Sequence, residues 1–177
     1  MGRSIVDPRF PIGPFEDPGE LDAKRRTEAI DAIAATPARL RSAVAGLDDA
    51  QLDTRYRPGG WTVRQVVHHL PDSHLNSYVR FKLGLTENEP TIRTYREELW
   101  AELADARTEV EGSIELLEAL HRRWVILLRG IEEREWRRSI LHPDLGRMSL
   151  DSLLAFYAWH GLHHVAHITE LRRREGW

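Results

Sequence analysis

The sequence predicts an all-α chain: a four-helix bundle with a long crossover and an extended N-terminal arm. Three observations carry that prediction. Apolar residues recur at helical spacing over several long segments, no stretch alternates with strand period, and no internal repeat is present. At 177 residues the chain has the length of about one domain. The division read from composition is an arm over residues 1–19 packing on a single bundle over residues 20–177.

Residues 1–19 are rich in Pro and Gly, with Phe10, Ile12 and Phe15 spaced through them, which fits an extended arm laying apolar side chains on a neighbouring surface. Over residues 20–44, Leu21, Ile30, Ile33, Leu40 and Val44 have helical spacing, and Pro37 is expected to kink or divide that helix. Gly46 ends it, DDAQLD supplies a short helical turn, and RYRPGG a loop. A long helix follows from Trp61 to about Leu85. Residues 86–111 hold a short amphipathic piece around YREELWAELADA and form a connection longer than adjacent antiparallel helices require. The next helix is therefore not expected simply to turn back. Ile114, Leu117, Leu120, Trp124, Leu127, Leu128 and Ile131 place an apolar stripe on it. After a short helical segment around EEREWRR, LHPDLGRMS is read as a polar loop, and the last helix begins near Leu150 with Ser149 as its N-cap.

The formal net charge is −3 and charges of both signs alternate along the chain, so nucleic acid is not an expected partner. With no long apolar run and no signal-peptide core, the expectation is a soluble, cytoplasmic protein without a membrane span. There is no cysteine, which excludes disulfides, thiolate ligands and a cysteine nucleophile. Any transition-metal site must use His, Asp or Glu.

Four of the nine histidines fall within WHGLHHVAH, residues 159–167. With about 100° per residue around the axis, His164 lies inside the apolar arc of this helix and His160 at its edge, while His167 and His163 turn progressively away. The helical wheel thus prefers His160 and His164, an i,i+4 pair able to chelate one ion, and leaves His163 and His167 to supporting or solvent roles. A second source is VVHHLPDSHLN. There His68 falls on the far side, solvated or at an interface, and His74 sits in the apolar arc as a core histidine with a hydrogen-bond partner. His69 shares a polar stripe with Ser73, Asn76 and Arg80. On the wheel alone His74 remains an alternative ligand to His69. His121, in LHRRW, and His142, in HPDLG, are read as supporting or surface residues.

The segments FPIGPF, WTVRQVVHHL, LHRRW, HPDLG and HGLHHVAHI are similar to those of the YfiT group within the DinB-like metalloprotein superfamily, and the likeness covers nearly the whole chain. The resemblance implies a four-helix bundle, often a homodimer, holding one divalent metal ion on three histidines. By position these are His69, eight residues after Trp61, with His160 and His164. It also implies a metal-dependent hydrolase, or a transferase attaching a low-molecular-weight thiol such as bacillithiol to an electrophile. Pro71 stands where family members usually carry a small helix former, and its missing donor predicts a kink close to His69.

Three neutral imidazoles leave a coordination position open, as catalytic sites do. Zinc is the expected ion and nickel the alternative. A metal-activated water would make the chain a hydrolase of a small-molecule substrate. A metal-bound thiolate would make it an S-transferase, and an inert ion would leave a non-catalytic, stress-related binding module. Asp72 and Glu170 are the expected general bases by helical position, and Asn76, Arg80 and Tyr157 the residues expected to orient substrate or bind an anion.

Overall fold

The computed structural model describes residues 7–177. Among the described residues six α-helices form: α1 (Ala23–Val44), α2 (Asp49–Leu52), α3 (Val63–Thr86), α4 (Glu97–Trp100), α5 (Glu111–Arg129) and α6 (Leu150–Glu175). Local chemistry sets their ends. The Asp22 side chain accepts from the Arg25 amide at the start of α1, and Thr62 and Gln65 close a capping box at the start of α3. Ser149 caps α6 as expected, and Gly176, at φ 80°, ends it in the left-handed conformation that glycine tolerates.

The four long helices pack as a ring in which α1 touches α5 and α6, and α3 touches the same two. Two apolar clusters fill it. One gathers Ile30 and Ile33 of α1, Phe81 of α3, Trp124 and Leu128 of α5, and Leu153 and Leu154 of α6. The other gathers Leu40, then Val66 and Leu70, then Ile114 and Leu117, then Ile168 and Leu171 of the same helices. The order in which each helix meets the clusters gives its direction: α1 and α6 run one way, α3 and α5 the other. Neighbours α3 and α5 are therefore parallel, so the chain must travel back along the bundle between them. That return explains the length of the crossover.

Between the clusters every long helix contributes a polar or proline turn. These are Thr36 and Pro37 on α1, His69 to His74 on α3, His121 on α5, and His160 to His167 on α6. The histidines thus occupy a layer at mid-bundle, enclosed by apolar packing above and below. The α6 helix closes on α1 at this level, because Gly161 has no side chain: a Cβ there would lie 2.7 Å from Thr36 Oγ1 and 2.9 Å from its Cγ2.

Three expectations are corrected. First, LHPDLGRMS is not a loop. Strands β1 (Ser139–His142) and β2 (Gly146–Ser149) pair antiparallel, with Gly146 at φ 76° and Ile140 fully buried. The chain is therefore mostly but not wholly helical, and four-residue strands are too short to show a period. The Ile92 amide bonds to the Leu141 carbonyl and the Leu141 amide to the Pro90 carbonyl, which ties the crossover to this hairpin. Second, Pro37 does not divide α1, which runs unbroken from Ala23 to Val44; α3 also continues through Pro71. Third, of the two places left open for His68 the solvated one is excluded: the ring sits where α3 meets the crossover and α5. It is 6% exposed and bonded to Ser113 Oγ at 2.7 Å and the Thr108 carbonyl at 3.1 Å.

The described part of the arm, residues 7–19, runs along α6. Phe15 meets Phe156 edge-on at 5.2 Å, and Trp159 Nε1–H donates to the Gly13 carbonyl. Phe10 and Ile12 keep substantial exposure. Residues 1–6 of the expected arm lie outside the described residues. Asp151, 1% exposed, fastens the start of α1 to α6 by accepting from Arg26 Nε at 2.7 Å, Arg26 Nη2 at 2.9 Å and the Leu21 amide at 3.1 Å.

Candidate metal centre

α3 brings His69, and α6 brings His160 and His164 one turn apart, to a single place: one ligand atom from each lies within 4.8 Å of the others, and all three residues are buried. His69 Nε2 and His160 Nε2 are 3.3 Å apart. Two nitrogens bound to one tetrahedral zinc ion are separated by about 3.3 Å, so this pair already has the span an ion requires. His164 Nδ1 is a buried nitrogen with no protein partner. The donor set and its spacing fit a divalent ion with borderline to soft preference.

Burial pushes the His69 imidazole down to about 3, and burial followed by the neighbouring histidines holds His160 and His164 well below the ordinary range. The rings are neutral at physiological pH, the form that ligates without first losing a proton. Trp61 packs on this group, 4.6 Å from the His69 ring and stacked 6.3 Å from that of His164.

His160 and His164 open onto a cavity of about 710 Å³. Arg80 and Tyr157 line it as well, and Arg80 Nη1 donates to the Tyr157 hydroxyl at 3.2 Å while Nη2 donates to the Arg93 carbonyl. The other three sequence candidates are elsewhere. Asp72 is half-buried outside the cavity, and burial followed by the charge of Asp105 pushes its carboxyl up to about 6. Asn76 spends its amide on the Asp72 carbonyl within α3. Glu170 is paired with Arg173 at 2.7 Å.

The carboxylates that do line the cavity are Glu97, from α4, and Asp144, from the hairpin turn. Desolvation by its neighbours, followed by the charge of Glu98, shifts the Glu97 carboxyl upward although the residue keeps substantial exposure. Its place in the amphipathic piece YREELW was the one available signal, since a wheel drawn on α3 or α6 cannot register a residue delivered by the crossover. His142 accepts at Nδ1 from the amides of Asp144 and Leu145, holding that turn.

His163 and His167 are 7% and 4% exposed and line the same cavity, so neither faces solvent. His163 stacks on Trp159 at 4.3 Å, and His167 stacks on Tyr56 at 4.0 Å and donates from Nε2 to the Arg9 carbonyl. The arm covers this side of α6, so of the supporting and solvent roles the wheel left open for these two residues the solvent one is excluded. His74, fully buried, bonds to other side chains as a core histidine should and belongs to no ligand group.

Comparison with known proteins gives a consistent picture. The family model of the DinB superfamily matches residues 32–168. The chain is 48% identical over 174 residues to a Bacillus subtilis protein named "Putative metal-dependent hydrolase YfiT", covering 97% of this chain and 98% of that one. It is 50% identical over 171 residues to a Bacillus cereus protein also named "Putative metal-dependent hydrolase", covering 97% and 99%. The solved structure of B. subtilis YfiT, described as a probable metal-dependent hydrolase with an unusual four-helix bundle topology, superposes with a TM-score of 0.94 over 97% of this chain and 99% of that one. By sequence over most of its length and by its bundle, the chain belongs to the DinB superfamily.

Proposed function

We propose that this chain is a divalent-metal-dependent hydrolase of a small-molecule substrate, with His69, His160 and His164 holding one ion, zinc by preference and nickel as the alternative. The observation that carries the reading is the convergence of three buried, neutral imidazoles, two of which, His160 and His164, line a cavity whose volume lies within the roughly 300–1,000 Å³ of small-molecule sites. When bound, the ion supplies Lewis-acid polarisation and a lowered pKa for water or a thiol.

The chain's own residues do the rest. Arg80, held by Tyr157 and the Arg93 carbonyl, offers a fixed cation to an anionic or carbonyl oxygen of the substrate. Arg57 adds positive charge at the cavity wall, whereas Arg9 is paired with Asp7 at 2.7 Å. Glu97, a carboxylate lining this cavity whose pKa is shifted upward from the ordinary value, is the general base of the proposal in place of Asp72 and Glu170. Trp61 packs on His69 and His164, and Trp159 on His163, so apolar rings flank the histidines.

The test is a panel of esters and amides given to metal-loaded protein with and without a small thiol. Turnover without thiol, lost in Glu97→Gln, supports the hydrolase. Turnover only with a thiol and an electrophile makes it the S-transferase, and metal binding without any turnover leaves the non-catalytic module. No helix among the described residues is long and apolar enough to cross a membrane; a place in the cytoplasm is part of the proposal, and fractionation of cells expressing the full chain tests it. A homodimer is part of the proposal, and sedimentation equilibrium of the full chain tests it.

A further inference from the structure

His74 and His121 lie outside the three-histidine group but are joined to it. His121 Nδ1 is 2.7 Å from the Ile33 carbonyl, His121 Nε2 is 2.8 Å from His74 Nδ1, and His74 Nε2 is 3.1 Å from His160 Nδ1. The chain thus runs from α1 through α5 and α3 to α6. His74 is fully buried and His121 2% exposed, and Trp124 meets both rings edge-on at 5.6 and 5.5 Å.

The end of this chain is set by Pro37. In an uninterrupted α-helix the amide of residue 37 donates to the carbonyl of residue 33, and proline has no amide hydrogen to donate. The Ile33 carbonyl is left for a side-chain donor, and His121 takes it.

A carbonyl oxygen only accepts, and that one fact orients every ring. His121 must carry its hydrogen on Nδ1. As a neutral ring it then accepts at Nε2, so His74 carries its hydrogen on Nδ1 and accepts at Nε2. His160 in turn must carry its hydrogen on Nδ1, which leaves the lone pair of Nε2 facing His69 Nε2. A free histidine side chain favours the opposite tautomer, with hydrogen on Nε2. Three rings therefore share an uncommon tautomer for a single structural reason, with no change in the number of protons.

We infer that the Ile33 carbonyl, His121 and His74 form a hydrogen-bonded relay that fixes the tautomer and ring orientation of His160, presenting Nε2 to the ion. His74 and His121 are positioning residues of the metal centre, and Pro37 supplies its anchor. Supporting partners of this kind, when removed, cost roughly 10–100-fold in metal affinity. The inference rests on the metal-site reading for its use, but the tautomers themselves are measured without metal, so the two fail separately.

The experiment is long-range ¹H–¹⁵N correlation of the metal-free full chain carrying ¹⁵N-histidine, paired with zinc titration of variants. His121, His74 and His160 are each expected to show a protonated Nδ1, with His160 Nε2 unprotonated. His121→Phe, which keeps ring volume and removes both bonds, is expected to return His160 to a mixed or Nε2–H tautomer and weaken zinc binding roughly 10–100-fold. His121→Gln restores one donor and one acceptor and is expected to recover most of that loss. A protonated His160 Nε2 in the parent overturns the relay, as does a His121→Phe variant with unchanged tautomer and zinc affinity. If His121→Phe does not fold, the parent spectrum alone decides.

Discussion

The contact between Gly161 and Thr36 fixes how closely α6 approaches α1 beside the histidine layer, and Gly161→Ala tests it. The new methyl would sit 2.7 Å from Thr36 Oγ1 and 2.9 Å from Cγ2. Thr36 is fully buried, β-branched, and bonded through its hydroxyl to the Ala32 carbonyl, so it has little room to rotate away. Overpacking of this kind costs about 1–3 kcal/mol, and two contacts on a stiff partner place it in the upper part of that range. Alanine in a helix interior returns about 1 kcal/mol relative to glycine, leaving a net loss of about 1–2 kcal/mol. For a chain of this size that lowers Tm by about 2–8 °C, measured by thermal denaturation in excess chelator. The control is Thr36→Ala, which leaves only Cβ, at 3.4 Å. In that background Gly161→Ala should be neutral or stabilising. Equal destabilisation in both backgrounds, or none in either, would refute the packing argument.

Other predictions follow from groups around the site. Asp151→Ala leaves Arg26 buried with only the exposed Glu133 as partner and frees the Leu21 amide, so it should cost about 3–5 kcal/mol by denaturant titration. Burial holds His121, His163 and His167 each at about 4 against an ordinary 6.5. Between those values the unfolded chain binds more protons, so stability is full above about 6.5 and is lost as pH falls toward 4. A Tm of the metal-free protein that stays flat from pH 7 to 5 would contradict this. Asp72 behaves oppositely: its folded pKa is raised to about 6, so its ionisation costs stability as pH rises from about 4 through 6. Asp72→Asn should raise Tm at pH 8, leave it unchanged at pH 4, and leave any hydrolytic turnover intact.

The long helices were legible because their caps and stripes are local. Ser149 and Thr62 announce helix starts in the residues that immediately follow, and the spacing of apolar side chains sets the buried faces. His160 and His164 were legible for the same reason, being neighbours on one face. His69 could be separated from His74 only with the added family resemblance, since both point inward and both reach His160, His69 at Nε2 and His74 at Nδ1.

What stayed hidden depends on elements that a wheel omits. His163 and His167 look solvent-facing until the arm, through Phe10 and Arg9, covers them. His68 looks solvated until Thr108 and Ser113 arrive from the crossover and α5. Pro37 looks like a break until a histidine on another helix takes up the carbonyl it exposes. Glu97 and Asp144 reach the cavity on short connecting segments, where helical angle says nothing about direction.

The central claim is that three of the nine histidines hold the ion. Zinc stoichiometry and affinity, by titration calorimetry with elemental analysis, should give one ion per chain in the parent and in His163→Ala, and a loss of binding in His69→Ala, His160→Ala and His164→Ala, each shown folded by circular dichroism. Occupancy equal to the parent in folded His69→Ala or His160→Ala would contradict the account.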